Sequence, residues 1–551
     1  MKKRVYGIET EYGLALITKY GKWSCDHDRL APYLQCFMEN FRDFSQFHAN
    51  GARIYLESGF HPEYATAECA SLLDLIAQDK AGERILRKSF DEAIKKTALL
   101  IPSNKRIALF KNNVQYNEYD DETREAVTCG CHENFLLEKK ITVGQLEEVL
   151  LPFLVARQIF CGAGWVANKA YQTRRIRFMI SQRARFIGSA VGTATNPRTL
   201  SDPYGSSRAI LCTARFYDEP HADKEKYSRL HLILGDSNLS ELCIYLKMGT
   251  ISILLEMLEE GYKFGRRIKG LRIKNPVLAL KLVSQDLTCK KPVIELENGK
   301  FISAVDLLWV YVDMMSKYER INGLSPELAD VRKKLEDVLW RFERREIDRA
   351  TLMEVKSLGL DMEIDWLIKK AALENSLSHF GSCWNDFSEK VIRRESRDID
   401  LYDQLRDKDL KYHDISDEGL YYFRQPDLSL EDLRLAQINT PRMVEEEKII
   451  EMMENPPQDT RARLRGEFVK WCKGKNLTEG FNVTWERISW SFYVESEHFK
   501  GEIFLSEPLV SESTELAELF AKFSDEAFLE KIRSPYSLPN NWGRWFPRFS
   551  G

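Results

Sequence analysis

The sequence lacks the features that mark secreted, membrane-spanning and nucleic-acid-binding proteins. Residues 1–4 include three basic side chains, but no apolar run follows them, so no signal peptide is predicted. No stretch approaches the roughly 20 apolar residues of a membrane span. The 80 basic and 84 acidic residues give a formal net charge of −4, whereas nucleic-acid-binding domains are usually strongly basic. We therefore expect no membrane and no nucleic-acid partner.

The sequence also lacks an ordered cysteine framework. Eleven cysteines are scattered along the chain at uneven spacing. This pattern is typical of reduced thiols, and a cytoplasmic location is expected. Cys129, Cys131 and His132 resemble metal ligands, but no second Cys/His pair stands at zinc-finger distance, so a zinc site is disfavoured.

What the chain does contain is enough apolar material for more than one compact core. It has 551 residues, of which 44% are hydrophobic and 11% aromatic, and a chain of this length normally forms more than one domain. We predict a large domain over residues 1–420, a small domain over 421–505 and an aromatic-rich extension over 506–551. Aromatic residues are seldom left in water, so the extension is expected to dock on its own chain or on a partner.

Residues 50–69 hold the densest group of chemically useful side chains. If residues 53–57 form a strand, Arg53, Tyr55 and Glu57 share one face, because successive strand side chains point oppositely. Three further polar side chains follow in the same stretch: Glu63, Thr66 and Glu68. The pattern fits a functional site, and it equally fits the open face of an ordinary half-buried sheet.

Residues 4–17 also read as a strand, with Glu9 and Glu11 on one face. Two carboxylates so placed repel each other unless a cation lies beside them, and oxygen ligands of this kind suit Mg²⁺. A surface strand with two solvated acids explains the pattern equally simply.

Three other features have both a functional and a structural explanation. His231 lies in an apolar strand, where a histidine is more often structural than a ligand. Trp485, in a predicted strand over 481–485, could stack on an aromatic ligand, although most tryptophans are packing residues. Arginines between 171 and 188 form either a basic strip for phosphates or an acidic peptide, or ion pairs with neighbouring acids. These arginines are Arg174, Arg175, Arg177, Arg183 and Arg185.

Six separated motifs, in order between residue 4 and about residue 490, resemble one known family. They cover residues 7–13, 50–56, 61–69, 130–134, 218–223 and 461–467. The sequence resembles the ligases and the deamidase–depupylases of the prokaryotic ubiquitin-like protein, Pup. The resemblance implies an α+β fold related to glutamine synthetase: a curved antiparallel sheet backed by helices, with a small C-terminal domain that closes on ATP.

The resemblance implies an ATP- and Mg²⁺-dependent ligase. Such enzymes phosphorylate the C-terminal glutamate of the modifier and pass its acyl group to a substrate lysine, forming an isopeptide bond. The implied partners are a Pup-like acidic protein modifier and lysine-bearing protein substrates. The short segment between Gly13 and Asn50 favours the ligase branch. A depupylase or deamidase, and a non-catalytic binding relative, are the alternatives.

The resemblance also implies roles for single residues. Those assigned to metal are Glu9, Tyr55 and Glu63, with Glu11, His132 and His231 as further metal or phosphate contacts. Those assigned to the nucleotide are Arg53, Thr66 and Trp485, and Arg215 is added because an acidic modifier favours a basic groove.

Glu57 departs from the family pattern. The family carries an aspartate there as its catalytic base, and Glu57 is one methylene longer. A carboxylate can still accept a proton from a lysine ammonium, provided that it comes within hydrogen-bond reach, about 2.6–3.2 Å. We therefore expect Glu57 to be the base, with its reach restored by a shifted strand or by a different substrate pose.

Overall fold

The structure is a computed structural model of the full chain. The residues that it describes are 3–18, 23–24, 27–39, 45–57, 61–98, 101, 105–114, 128–166, 178–194, 208–216, 221–385, 396–416, 440–477, 479–494, 497–523 and 532–533.

The described elements are fourteen α-helices and twenty-one strands. The helices are α1 His27–Glu39, α2 Leu72–Thr97, α3 Val143–Ala156, α4 Gln158–Cys161, α5 Glu241–Glu259, α6 Gly265–Lys269, α7 Pro276–Gln285, α8 Ala304–Asn322, α9 Pro326–Arg344, α10 Asp365–His379, α11 Ser396–His413, α12 Glu446–Glu454, α13 Ala462–Gly474 and α14 Thr514–Lys522. The strands are β1 Tyr6–Glu11, β2 Gly13–Thr18, β3 Trp23–Ser24, β4 Ser45–Phe47, β5 Arg53–Leu56, β6 Pro62–Ala65, β7 Lys105–Phe110, β8 Cys131–Glu138, β9 Trp165–Val166, β10 Phe178–Met179, β11 Ser189–Gly192, β12 Ala209–Cys212, β13 Tyr227–Leu232, β14 Ile294–Glu295, β15 Phe301–Ile302, β16 Glu346–Ile347, β17 Glu354–Lys356, β18 Phe481–Val483, β19 Arg487–Val494, β20 Glu497–Phe504 and β21 Ile532–Arg533.

The central element is a six-stranded antiparallel sheet in the order β13-β8-β1-β6-β5-β4. Along β1 the burial alternates as the sequence predicts: Tyr6 and Ile8 are buried, while Glu9 and Glu11 lie on the more open face. The predicted single strand over residues 4–17 is broken at Tyr12 into β1 and β2. The predicted α+β class, with an antiparallel sheet backed by helices, is confirmed.

Helices cover the apolar face of this sheet. Tyr6 and Ile8 belong to one large buried cluster that also contains side chains of α2, α3, α5, α8 and α9. Local signals set the helix starts: Ser325 caps α9 with Pro326 as its first residue, and Ser71 caps α2 by accepting a hydrogen bond from the Asp74 amide. The apolar residues therefore fix the helices behind the sheet and leave its polar face uncovered by them.

The C-terminal part of the chain packs a second core beside the sheet. β18, β19 and β20 form an antiparallel sheet with β21 on β19, and a buried cluster joins them to α13 and α14. This cluster includes Phe468, Phe492 and Phe523, so the packed unit extends past residue 505. The division at residues 420 and 505 stays a prediction, and the aromatic residues at 542–549 lie outside the described residues.

Glu68 ties this C-terminal part to the central sheet. Its side chain binds the guanidinium groups of Arg461 and Arg465, with Arg461 Nε 3.0 Å from Glu68 Oε1. The Thr460 hydroxyl donates to the Glu68 carbonyl oxygen at 2.7 Å. Because both arginines are buried, the carboxylate supplies the negative charge that their burial requires.

The turn that leads into β5 is fixed just as tightly. Asn50 donates through Nδ2 to the Tyr64 hydroxyl and to the Met452 carbonyl, both at 2.9 Å. Gly51 has φ +79°, and a Cβ there would lie 2.9 Å from the Ala462 carbonyl oxygen. Its amide donates to the His48 carbonyl. Glycine is therefore required by backbone conformation and by the approach of α13.

The predicted basic strip over residues 174–185 is wrong at Arg183. This arginine is fully buried, and its guanidinium donates to the Thr128 hydroxyl and to the carbonyl oxygens of Cys129 and Ile233. The segment around it is a short 3₁₀ turn, so a strand face does not form there. Arg174, Arg175 and Arg177 lie outside the described residues. Within the described part of the chain, no helix combines the length and apolar character needed to cross a bilayer.

Candidate metal and nucleotide site

Strand register gathers the predicted metal residues on the polar face of the central sheet. Glu9 lies opposite His132, and Glu11 lies opposite Glu63. Glu63 is also paired with Tyr55 on its other side. Residues directly opposite each other in antiparallel strands point to the same face. Four strands thus bring together side chains that are far apart in the sequence.

One half of this face is rich in imidazole. Nδ1 of His132 lies 3.1 Å from Glu9 Oε2, and Asn134 donates through Nδ2 to the other Glu9 oxygen at 3.1 Å. The rings of His132 and His231 are 4.9 Å apart, and ligand atoms of both lie within 4.8 Å of the Glu9 carboxylate. Burial lowers the pKa of His231 to about 3, against the opposing charge of Glu9. His231 is therefore neutral, which is the form that binds a metal.

The other half is rich in carboxylate. Glu63 is 2% exposed, and its Oε1 has no hydrogen-bond partner among the described residues. The Glu63 side chain is hydrogen-bonded to the Tyr55 phenol. Burial and the charges of Glu9 and Glu11 raise its pKa well above the usual value. A buried carboxylate oxygen without a hydrogen-bond partner, beside two other acids, is a suitable ligand for a cation.

Glu11 stands at the edge of this face, beside a histidine and a cysteine. Its Oε2 lies 3.2 Å from Nδ1 of His61, and ligand atoms of Glu11, His61 and Cys129 all lie within 4.8 Å of one another. Burial raises the pKa of Glu11, but the hydrogen bond with His61 and the charge of His132 outweigh it and lower the pKa to about 2. Glu11 is thus anionic over the physiological range.

Glu57 follows β5 directly and is half-buried. Its amide donates to the His61 carbonyl oxygen at 3.0 Å, which fixes the backbone as the chain leaves the sheet. The negative charge of Glu57 is one of those that raise the pKa of Glu63. The carboxylate therefore lies at the rim of the acidic group, within its electrostatic reach.

The predicted nucleotide residues are distributed around this face. The Arg53 guanidinium lies 4.9 Å from the Tyr55 ring centroid and 5.9 Å from that of Phe47. Trp485 meets the same Phe47 edge to face at 4.9 Å. Thr66 is buried, and its hydroxyl oxygen accepts a hydrogen bond from the Ile8 amide at 3.0 Å. Phe47 thus contacts both Arg53 of the central sheet and Trp485 of the C-terminal part.

Arg215 lies after β12, and its positive charge contributes to lowering the pKa of His231. It therefore lies within electrostatic reach of the imidazole half of the face.

A pocket runs from the polar face toward the C-terminal part of the chain. Glu9 and Arg229 line it on the side of the central sheet, and Trp485 and Arg461 line it on the side of the C-terminal part. His221 also lines it, with Nδ1 3.0 Å from Glu486 Oε1. The pocket thus joins the acidic face to an aromatic and basic wall.

The sequence model of the family described as "Pup-ligase protein" matches residues 4–489 of this sequence. The chain belongs to the Pup ligase family. It is 36% identical over 502 residues to the Pup–protein ligase of Rhodococcus erythropolis, covering 89% of this chain and 93% of that relative. The predicted family is confirmed.

Solved structures of Pup ligases have the same fold. The complex between Pup and its ligase PafA matches with a TM-score of 0.72 at 26% identity, covering 95% of this chain and 92% of that one. The structure of the Pup ligase PafA in complex with ADP matches with a TM-score of 0.68, also at 26% identity, over 90% and 93% of the two chains.

Reasoning from the sequence gave no role to three side chains of this face, and it disfavoured a fourth, Cys129, as a zinc ligand. Asn134 orients Glu9, and Arg229 lies 4.0 Å from the same carboxylate. His61 and Cys129 flank Glu11. Asn134 and His61 stood inside motifs that carried the resemblance, so their polar character in otherwise small or apolar segments was the available signal. Nothing in the spacing of Cys129 pointed to His61.

Proposed function

We propose that this Pup ligase relative joins the C-terminal glutamate of a Pup-like acidic modifier to lysine side chains of protein substrates, at the expense of ATP. In this reaction the γ-phosphoryl group passes to the glutamate side-chain carboxylate, giving an acyl phosphate and ADP. The lysine amine then attacks the acyl carbon, phosphate leaves, and an isopeptide bond forms.

The observation that carries the proposal is the group of three acids on the sheet face, with Glu63 Oε1 buried and unpartnered. Such a donor set fits Mg²⁺, which prefers carboxylate oxygens and shares its shell with phosphate. Glu9, Tyr55 and Glu63 would hold the ion, with His132, His231 and Glu11 beside them. Bound there, Mg²⁺ would neutralise the charge that develops on the transferring phosphoryl group.

The neighbouring pocket supports ATP as the phosphoryl donor. Its Trp485 wall offers a flat aromatic surface for a base, and Arg229 at the other end offers a cation for phosphate beside Glu9. Arg53 and Thr66 would complete the nucleotide contacts from the strand side, and Arg215 would face the acidic modifier.

Glu57 is the proposed base. A lysine ammonium must lose a proton before its nitrogen can attack, and a carboxylate at the rim of the site can accept that proton. Glu57 is half-buried there, and its position is fixed by its backbone hydrogen bond to His61. The described cysteines are free thiols, which fits the cytoplasm as the expected location.

The proposal is tested with purified full-length chain, ATP, Mg²⁺, a Pup-like modifier that ends in glutamate, and a lysine-bearing protein. We expect a covalent adduct and one ADP for each adduct. The matched control is the same modifier ending in glutamine, which has no side-chain carboxylate to be phosphorylated and should give no adduct. Ammonia release from that control without ATP turnover would instead identify a deamidase, and no product from either modifier would refute the enzyme proposal.

A further inference from the structure

A second group of metal-ligating side chains lies beside the proposed magnesium face and shares Glu11 with it, while its other two members have no role in the proposed reaction. It consists of Glu11 at the end of β1, His61 just before β6, and Cys129 just before β8. Ligand atoms of the three lie within 4.8 Å of one another. His61 and Cys129 are buried, while the Glu11 side chain is 12% exposed, so the group opens toward the polar face through Glu11.

The donor types in this group differ from those on the neighbouring face. One thiol, one imidazole and one carboxylate are a set that suits Zn²⁺, whereas Mg²⁺ avoids sulfur and takes oxygen ligands. A thiolate and a carboxylate together carry two negative charges, which balance one divalent cation. Three protein ligands leave a fourth tetrahedral position for water, as in zinc sites that are not closed.

The spacing is compatible with one bound ion. Metal bonds of 2.0–2.1 Å at a tetrahedral angle place a nitrogen and an oxygen ligand about 3.3 Å apart. The observed distance between His61 Nδ1 and Glu11 Oε2 is 3.2 Å. Gly130 contributes space, because a Cβ at this position would lie 2.6 Å from Glu11 Oε1 and 2.5 Å from His132 Nε2.

We propose that Glu11, His61 and Cys129 form a zinc-class metal site next to the oxygen-rich magnesium face, with Glu11 at the boundary between the two. The competing explanation is a purely hydrogen-bonded group, in which a protonated His61 bridges the carboxylate and the sulfur. Both explanations account for the burial of the three residues, and only the first requires a metal–sulfur bond. The proposal does not depend on the ligase reaction, since it concerns binding of the ion alone.

Cobalt titration of the chelator-treated full-length protein tests the proposal, because Co²⁺ occupies zinc sites and a cobalt–thiolate bond gives a charge-transfer band in the near ultraviolet. We expect the band to appear with one equivalent of Co²⁺, to be abolished by added Zn²⁺ and to survive an excess of Mg²⁺. Cys129→Ser should lose the band. His61→Asn should weaken cobalt binding by about tenfold or more, since even indirect partners of a metal ligand contribute that much.

Cys131→Ser is the matched control. Cys131 is also buried, two residues away, and its sulfur lies 3.6 Å from Lys247 Nζ instead of near the cluster. This variant should keep the band at full intensity. Absence of the band in the wild type, or equal bands in the wild type and Cys129→Ser, would overturn the proposal. If Cys129→Ser fails to fold, unchanged cobalt affinity in His61→Asn would overturn it equally.

Discussion

Two groups of acidic side chains in this molecule have different neighbours that can offset their charge. Asp79 and Glu83 of α2 are paired with lysines: Lys111 Nζ lies 2.5 Å from Asp79 and 2.7 Å from Glu83, and Lys80 Nζ lies 3.0 Å from Glu83. The acids of the sheet face have imidazole, amide and phenol neighbours instead. One arginine contact there is that of Arg229 with Glu9, at 4.0 Å.

The difference separates a structural group from a binding group. A buried carboxylate that has its own lysine needs nothing more, and it locks α2 to the strand that ends at Phe110. Glu63 has one oxygen without a hydrogen-bond partner, and burial together with the charges of Glu9 and Glu11 raises its pKa. The counter-charge for that face is expected to come from outside the chain.

Glu63→Gln should separate the two groups most sharply. Removing one proposed metal ligand should lower ATP-dependent adduct formation by about 10³-fold, the upper range for loss of one electrostatic contact in an active site. Metal-free stability should stay equal or increase, because the repulsion with Glu9 and Glu11 is relieved. Initial rates at saturating Mg²⁺ and urea unfolding without metal measure the two effects. A variant that keeps its rate would remove Glu63 from the site.

Lys111→Met should have the opposite profile. It leaves Asp79 without its lysine in the interior, and breaking a buried pair in this way costs about 3–5 kcal/mol of unfolding free energy. Urea unfolding measures the loss, and Lys300→Met, at an exposed lysine, is the control that should change little. Equal stability of the two variants would contradict the structural role of the lysine group.

Glu57→Gln tests whether Glu57 acts as the base or as a metal or nucleotide contact. Nucleotide binding should be unchanged while transfer to lysine falls by about 10²-fold, the lower range for loss of a general base. Glu57→Asp should restore much of the rate if the shorter side chain reaches the amine. Binding of labelled ADP and single-turnover adduct formation separate the steps, and loss of ADP binding would make Glu57 a metal or nucleotide contact.

Mg²⁺ alone should produce the smallest effect. At about 100 times its dissociation constant, a ligand that binds only the folded state adds about 2.7 kcal/mol to the unfolding free energy. The wild type and Lys111→Met should gain equally, and Glu63→Gln should gain less. Thermal unfolding with and without Mg²⁺ measures this, and equal gains in all three proteins would place the ion elsewhere.

Much of the site follows from local sequence. Alternation along β1 predicts that Glu9 and Glu11 share a face, and the structure places them there. Which strands lie beside β1 is a tertiary property. Only the family resemblance predicted that Tyr55 and Glu63 lie in the same site as Glu9. Pairing of β1 with β6, and of β6 with β5, supplies the physical reason.

The failures have the same origin. Cys129 was considered as a metal ligand only together with residues near it in the sequence. His61 lies close to Cys129 because the chain enters β6 beside the end of β1. Arg183 carries the charge pattern of an exposed strip, but three oxygen acceptors inside the fold satisfy its guanidinium. The surroundings of Cys129 and Arg183 both depend on packing between distant parts of the chain, which local sequence patterns do not predict.

The turn at Asn50 and Gly51 has a consequence for the chemical ageing of the protein. An asparagine followed by glycine degrades to aspartate when the glycine nitrogen attacks the side-chain amide carbon. In the folded chain the Gly51 amide is held by the His48 carbonyl, and Asn50 Nδ2 is held by Tyr64 and Met452. Attack therefore has to wait until this turn opens. The amount of aspartate that accumulates at position 50 in stored enzyme, measured by mass spectrometry, would therefore report how often the turn before β5 opens.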